Sequence, residues 1–155
     1  MSIRFVALDD PITAALRRGE PDANGQAPER RIAATSGLPC RHCLRLIGEG
    51  EAYLTLAHRP FPSPQPYAEV GPIFLHAETS PRGGGTAEIP SFLGSPRYIV
   101  RGYGADDRIV YGTGGVIDTP AIPARAAELL GDAAITYVHV RSASNNCYHC
   151  RIERG

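Results

Sequence analysis

Apolar and polar residues alternate in several short runs of this chain, and such alternation predicts β-strands with one buried face. The clearest run follows Gly50, where "EAYLTLAHRPF" alternates apolar and polar positions. Six other runs are short, apolar and rich in β-branched or aromatic residues: "IRFVAL", "PIFLHAE", "RYIVRGY", "RIVYGTGGVI", "AITYVHVRSA" and "CYHCRIER". The pattern therefore predicts about seven strands.

Two pairs of these runs are separated by residues that favour turns, which predicts two β-hairpins. "GADD" separates "RYIVRGY" from "RIVYGTGGVI". Ser144, Asn145 and Asn146 separate the last two runs, and these residue types tolerate turn geometry.

Two short segments have helical signals. In "DDPITAALRRG", Asp9 or Asp10 can cap a helix that Pro11 opens and Gly19 ends. In "PAIPARAAELLG", alanines and leucines recur at helical spacing, and Gly131 marks the end of the helix.

Most predicted strands follow one another directly, without a helix between them, which favours antiparallel pairing. We therefore predict a single α+β domain over residues 1–155, built mainly from an antiparallel, barrel-like sheet of about seven strands with two short helices. Residues 20–34 are polar and rich in turn formers, which predicts a flexible loop. Residues 79–91 contain three consecutive glycines, which predicts the most mobile internal loop and a lid over a site.

The charge of the chain narrows the range of partners. Its 16 basic residues, all arginine, balance 16 acidic residues. The chain therefore lacks the excess of positive charge that would indicate a nucleic-acid or membrane partner. The absence of lysine excludes chemistry that needs a Schiff base. The first apolar run is too short for a signal peptide, and no run has the length of a membrane span. We expect a cytoplasmic protein with reduced cysteines.

The four cysteines form two Cys-x-x-Cys motifs, Cys40 with Cys43 and Cys147 with Cys150. Two such turns can supply four thiolates to a tetrahedral zinc ion, which makes zinc the candidate cofactor. Cys40 and Cys43 are expected to be the functional half, with at least one further ligand from Cys147, Cys150 or His76. The motifs lie about a hundred residues apart, far beyond the spacing of a compact zinc ribbon. Two alternatives remain open, which are a redox pair at Cys40 and inert thiols that pack as small apolar groups.

A second group of candidate residues lies near the ends of predicted strands. Alternation puts His139 and Arg141 on one face of "YVHVRS", and Arg101 and Tyr103 on one face of "RYIVRGY". Arginine binds carboxylate or phosphate in a planar fork, and histidine exchanges protons near neutral pH. The whole group comprises His58, Arg59, Glu69, His76, Glu78, Arg101, Tyr103, His139 and Arg141. The alternative is a solvated sheet face with ion pairs to Glu69, Glu78 or Asp106.

These features lead to three hypotheses about function. In the first, the protein binds a small anionic molecule through Arg59, Glu69, Arg101, Tyr103 and Arg141. In the second, it is an enzyme at the same place, with His76 or His139 as general base. In the third, a structural zinc site organises a module that binds another protein. Arg141 is expected to face the surface, where removing a charge costs under about 1 kcal/mol.

Several runs together resemble a bacterial family catalogued as domain of unknown function 1203. The resemblance covers residues 39–154 and rests on "PCRHCL", "HRPF", "PYAEVGPIFLHAE", "RGY", "YVHVRSASNNCY" and "RIER", in that order. It implies no activity, because none is established for that family. It implies a cysteine a few residues after "GPIFLHAE", where this chain has Ser80, and it implies Cys147 more than Cys150. The departure at Ser80 makes a full metal site less expected.

Overall fold

The computed structural model describes residues 1–155, in which ten strands and two α-helices form. The helices are α1 (Asp10–Arg17) and α2 (Ile122–Leu130), and a short 3-10 helix (Thr119–Ala121) precedes α2. The strands are β1 (Ile3–Val6), β2 (Glu29–Ile32), β3 (Leu38–Pro39), β4 (Leu46–Ile47), β5 (Ala52–His58), β6 (Gly71–His76), β7 (Arg97–Tyr103), β8 (Gly115–Asp118), β9 (Tyr137–Ser142) and β10 (Tyr148–Arg154).

The largest sheet has five antiparallel strands in the order β1-β10-β9-β7-β8. Its central strands bury valines at alternate positions, Val138 and Val140 on β9 and Val100 on β7, in one apolar core with Ile122 and Leu130 of α2. Helix α2 thereby covers one face of the sheet. The other face carries the side chains that alternate with these valines, His139 and Arg141 among them.

A second apolar core lies at a smaller, three-stranded sheet with the order β2-β5-β6. Strands β3 and β4 form a separate two-stranded hairpin. This hairpin adjoins the small sheet, because Cys40 makes a parallel bridge to Phe74 of β6. Cys40 and Cys43 are buried in the same core as Leu54 and Leu75 of the small sheet.

The α+β class and the antiparallel pairing are confirmed, but the barrel and the strand number are wrong. The strands form three open sheets, and there are ten of them. Strands β2, β3 and β4 have only two to four residues, and all four residues of β2 are exposed. Such strands carry no alternation of apolar and polar residues, so the sequence pattern could not reveal them.

The predicted helix ends and the last hairpin are confirmed. Asp9 caps α1, since its Oδ1 accepts a hydrogen bond of 2.9 Å from the backbone N–H of Ile12, and α2 ends at Gly131. Between β9 and β10, Asn146 has a positive φ of 56°. The other predicted hairpin is also formed, but its second strand is β8, at the end of "RIVYGTGGVI", and a single bridge between Tyr103 and Ile109 is all that pairs close to "GADD".

The two segments predicted to be flexible make specific contacts. The first contains β2, and Asp22 accepts hydrogen bonds there from the backbone N–H groups of Asn24, Gln26 and Ala57. In the second, the N–H of Gly83 donates to the carbonyl of His42 at 2.8 Å. The structure contains no helix with the length and apolar character that a membrane crossing requires.

Candidate functional site

Arg141 occupies the centre of the face of the large sheet that α2 leaves uncovered. It is only 2% exposed, and its guanidinium donates to Glu69 Oε1 at 2.7 Å and to the carbonyl of Asn146 at 3.2 Å. A third contact of 3.0 Å joins it to Nδ1 of His139. The expectation that Arg141 faces the surface is therefore wrong. The segment that carries Glu69 lies over this face, and sequence alternation cannot show which segment covers a sheet.

Arg101 on β7 reaches the same carboxylate. Its Nε donates to the hydroxyl of Tyr103 at 2.9 Å, and its NH2 group lies 3.3 Å from Glu69 Oε1. The register explains the convergence, because Arg101 lies opposite His139 on β9 and alternate residues share a face. Arg101 and Arg141 thus share the carboxylate of Glu69. Its single negative charge leaves one of their two positive charges uncompensated.

His139 is fully buried behind Arg141 and does not reach solvent. Aromatic rings of Phe61, Tyr103 and Tyr148 surround its imidazole, with ring centroids 4.5–5.2 Å away. Burial, together with the positive charge of Arg141, holds the pKa of His139 well below its ordinary value. Its Nε2 has no hydrogen-bond partner. This neutral histidine packs beneath the site and does not have the exposure that a general base needs.

A second histidine beside this face, His58 at the end of β5, reaches an opening. It lines a cleft of about 210 Å³ together with Glu69, Arg141, Cys147 and Tyr148. Its Nε2 is buried and has no partner. Burial and the nearby guanidinium groups lower the pKa of His58 to about 4. We call this opening the arginine cleft; its remaining lining residues are Pro60, Val70, Gly71, Pro72, Asn145 and Asn146.

Arg41 is a site residue that the sequence did not reveal. It is 2% exposed, donates to the carbonyls of Tyr148 and Pro39 at 2.8 and 2.7 Å, and makes no ion pair with a carboxylate. Burial lowers its pKa to about 10. It lines a second groove of about 500 Å³, which shares Asn145 and Cys147 with the arginine cleft. Arg41 is one of the two residues between Cys40 and Cys43, and nothing in the sequence distinguishes it from a residue that only separates the cysteines.

The other predicted site residues are not part of this cluster. Arg59 donates to the carbonyls of Phe61 and Pro62. Glu78 forms an exposed ion pair with Arg30. His76 lies on β6 of the small sheet and not beside His139, so the structure does not bring the two predicted catalytic histidines together.

His76 instead lies beside Cys40 and Cys43, and the three ligand atoms are within 4.8 Å of one another. The two cysteines belong to the loop of the β3–β4 hairpin, which the N–H of Leu44 closes by donating to the carbonyl of Cys40 at 3.0 Å. Leu44 has a positive φ of 57°, a conformation that is uncommon for a residue with a side chain. This tight loop turns both sulfur atoms toward His76, so the cluster could hold a metal ion.

Hydrogen bonds prepare the cluster for that role. The N–H of His76 donates to Cys40 Sγ at 3.3 Å. The side chain of Cys43 also donates to Cys40 and lowers the pKa of Cys40, whereas the pKa of Cys43 is raised. Glu51 Oε2 lies 3.1 Å from Nε2 of His76, which leaves Nδ1 directed at Cys43 Sγ, 3.4 Å away. A carboxylate on the outer nitrogen is the usual way in which a metal-binding histidine is oriented.

The second Cys-x-x-Cys motif does not join this cluster. Cys147 is partly exposed and lines the arginine cleft. Cys150 is buried in the core of the large sheet, and burial raises its pKa. A register shift lies between Tyr148 and Cys150, but neither Cys147 nor Cys150 joins the group formed by Cys40, Cys43 and His76. The four-cysteine arrangement is therefore not formed, and of the three expected further ligands it is His76 that joins Cys40 and Cys43.

A family model described as "Protein of unknown function (DUF1203)" matches residues 37–154. Neither a curated protein nor a solved structure matches the chain. The matched range includes the Cys40 loop, the arginine cleft and the last hairpin, which are the parts that hold the chemistry described above. This chain belongs to the DUF1203 family of proteins of unknown function.

Proposed function

We propose that the protein binds a small anionic molecule, a carboxylate or a phosphate, in the arginine cleft. One observation carries this proposal: Arg141, which lines the cleft, shares the single carboxylate of Glu69 with Arg101, and Arg41 in the adjoining groove has no carboxylate partner. Arg41 and Arg141 are each only 2% exposed. Burying a charge without a counter-charge is costly, and an anionic ligand would supply the missing charge.

The histidine in the cleft supports the same conclusion. His58 is neutral at physiological pH, because its pKa is about 4, and its Nε2 has no partner in the protein. The guanidinium groups of Arg41 and Arg141 both contribute to this lowered pKa. An anion beside His58 would offset their charge and would accept a hydrogen bond from the imidazole.

The size of the cleft limits the ligand. A volume of about 210 Å³ lies below the range that is common for drug-sized ligands. The adjoining groove of about 500 Å³ gives room for a longer apolar or polar tail. We therefore expect the anionic group to bind at Arg141, and the remainder of a larger ligand to extend past Cys147 toward Arg41.

A thermal-shift screen of small carboxylates, phosphate and sulfate tests this proposal. A ligand at one hundred times its Kd stabilises the folded protein by about 2.7 kcal/mol, which raises the Tm of a chain of this length by about 5–10 °C. The shift should vanish in Arg141→Met, which keeps most of the side-chain volume but removes the charge. It should persist in Arg4→Met, which removes an exposed guanidinium that is paired with Glu153.

Two results would count against anion binding in this cleft. One is a panel in which no anion shifts the Tm of the wild-type protein. The other is a ligand that raises the Tm of the wild type and of Arg141→Met by the same amount. The uncharged amide of any carboxylate that binds serves as the ligand control, and it should produce no shift.

A second function, zinc binding at Cys40, Cys43 and His76, is favoured by a separate observation. Zinc lies about 2.3 Å from sulfur and about 2.0–2.1 Å from nitrogen, so tetrahedral geometry separates these two atoms by about 3.6 Å. Cys43 Sγ and His76 Nδ1 are 3.4 Å apart. Three protein ligands leave a fourth position for water or for a substrate. The reduced thiols that this site needs are consistent with the cytoplasmic location that we also propose.

Metal analysis of purified protein tests the zinc site. One equivalent of zinc is expected in the wild type, and Cys43→Ser should lose it. Glu51→Gln should weaken zinc affinity about 10- to 100-fold, because the orientation of His76 is then less well fixed. Cys147→Ser is the matched control and should bind zinc as the wild type does. Equal loss in Cys147→Ser would restore the four-cysteine arrangement, and no zinc in the wild type after reconstitution would exclude the site.

A further inference from the structure

A third cluster of polar residues adjoins the Cys40, Cys43 and His76 cluster, since His42 lies between the two cysteines in the chain. Ser80 Oγ is 3.1 Å from Nδ1 of His42, and Nε2 of His42 is 2.7 Å from Asp10 Oδ1. All three residues line a cleft of about 470 Å³, which has no lining residue in common with the arginine cleft. His42 is 1% exposed, whereas Ser80 is partly exposed and open to the cleft.

The partners at the two ends of this cluster determine the direction of its hydrogen bonds. Arg17 NH2 is 3.1 Å from Ser80 Oγ, and a guanidinium can only donate. A carboxylate oxygen accepts, so the 2.7 Å contact with Asp10 Oδ1 selects the tautomer of His42 that carries its proton on Nε2. Nδ1 of His42 is then an acceptor, and the hydroxyl proton of Ser80 is available to it. The chain of bonds therefore runs from Arg17 through Ser80 and His42 to Asp10.

We infer that Ser80, His42 and Asp10 form a nucleophile–base–carboxylate triad that hydrolyses small esters whose acyl part carries a negative charge. A serine bonded to a histidine that a carboxylate holds in one tautomer is the arrangement that activates serine in acyl transfer. The triad is recognised by geometry and not by chain order. Ser80 therefore does not need the Gly-x-Ser-x-Gly motif that carries the serine of many hydrolases.

The reaction that this geometry supports has two halves. Ser80 Oγ attacks the ester carbonyl carbon, its proton passes to Nδ1 of His42, and the carbonyl oxygen becomes an oxyanion. The bond from that carbon to the alcohol oxygen then breaks, the alcohol leaves with the proton from His42, and Ser80 keeps the acyl group. Water attacks the acyl carbon while His42 takes a proton from it. The bond to Ser80 Oγ breaks, Oγ takes the proton back, and the acid is released.

The charges of the cleft indicate the substrate class. Arg17 donates to the carbonyl of His76 and to Ser80, and Arg82 donates to the carbonyls of Leu8 and Ala7. Neither arginine forms an ion pair with a carboxylate. The Arg17 guanidinium lies where it can donate to the oxyanion that forms next to Ser80. The charge of Arg82 is available to a carboxylate or phosphate elsewhere on the substrate.

A fluorophosphonate probe tests the nucleophile directly. Ser80 Oγ attacks phosphorus, fluoride leaves and His42 takes the serine proton, so peptide mass spectrometry should locate the adduct at Ser80. Ser80→Ala should abolish the adduct, and Ser63→Ala, at an exposed serine outside the cleft, should leave it unchanged. Asp10→Asn should slow labelling about tenfold, less than is usual for a triad because the Asp10 side chain is 75% exposed.

Hydrolysis measurements test the substrate class with the same variants. The kcat/KM for the mono-p-nitrophenyl ester of succinate should exceed that for p-nitrophenyl acetate at least tenfold, and Ser80→Ala should lose both activities. The triad is overturned if no adduct forms at Ser80 while the probe labels a known serine hydrolase in the same tube. It is also overturned if Asp10→Asn labels as fast as the wild type. Equal rates for the two esters would overturn the anionic substrate class.

Discussion

Replacing Arg141 with methionine should destabilise the protein far more than the loss of a surface charge would. The substitution removes the contact to Nδ1 of His139, whose Nε2 already has no partner, so a fully buried imidazole is left without any hydrogen bond. A buried polar group that loses its partner costs about 1–3 kcal/mol. The lost ion pair with Glu69 adds little to this cost, because Glu69 is 44% exposed and keeps its ion pair with Arg101.

We therefore expect the free energy of unfolding to fall by about 2 kcal/mol, the middle of that range. Urea denaturation followed by circular dichroism measures it, and with a slope of about 2 kcal/mol per molar the midpoint should move down by about 1 M. Arg4→Met is the matched control, since its guanidinium is 50% exposed and its ion pair with Glu153 should contribute under about 1 kcal/mol. A loss in Arg141→Met no larger than that of the control would refute the interpretation that Arg141 is a buried element of the fold.

Three further predictions follow from the same structure. Stability should fall as pH drops from 6.5 toward 4, because the pKa of His58 is about 4 when folded and the unfolded chain takes up the proton first. Urea midpoints measure this loss, and His58→Gln should make the profile less steep without flattening it, since the pKa values of His139 and His149 are lowered too. Gly83→Ala should cost about 2 kcal/mol or more in thermal unfolding, since a Cβ there would lie 2.1 Å from the carbonyl oxygen of Cys43, while Gly37→Ala, with open space around it, should be neutral. In hydrogen exchange, the bonded amide of Gly83 should be protected, and fast exchange throughout residues 79–91 would instead support a mobile lid.

The parts of the fold that the sequence predicted are those in which local chemistry decides the structure. The cap at Asp9, the end of α2 at Gly131 and the turn at Asn146 each depend on a residue's own backbone preference or on a bond to a neighbour three positions away. Long alternating runs such as β5 and β7 were found for a similar reason, since the period of two is a property of the strand itself. Short strands with no buried face have no such signal.

The candidate sites also combine groupings that alternation predicted with contacts between distant segments. Alternation predicted that His139 shares a face with Arg141, and Arg101 with Tyr103, and cross-strand pairing then placed all four together. The partnership of His76 with Cys43 crosses from β6 to the loop of the β3–β4 hairpin, over more than thirty residues of chain. The sequence offered His76 only as one of three possible further ligands, because no pattern of spacing within one strand fixes such a contact.

The sequence by itself determined which chemical groups this protein has, which strands alternate, where the helices begin and end, and that no lysine takes part. Only the tertiary structure decided which groups meet. It buried Arg141 beneath the segment that carries Glu69, separated His76 from His139, and brought Ser80 to His42. The physical reason is that side-chain direction along a strand is a local property. Burial and pairing depend on which distant segment packs against each face, and that depends on the whole chain.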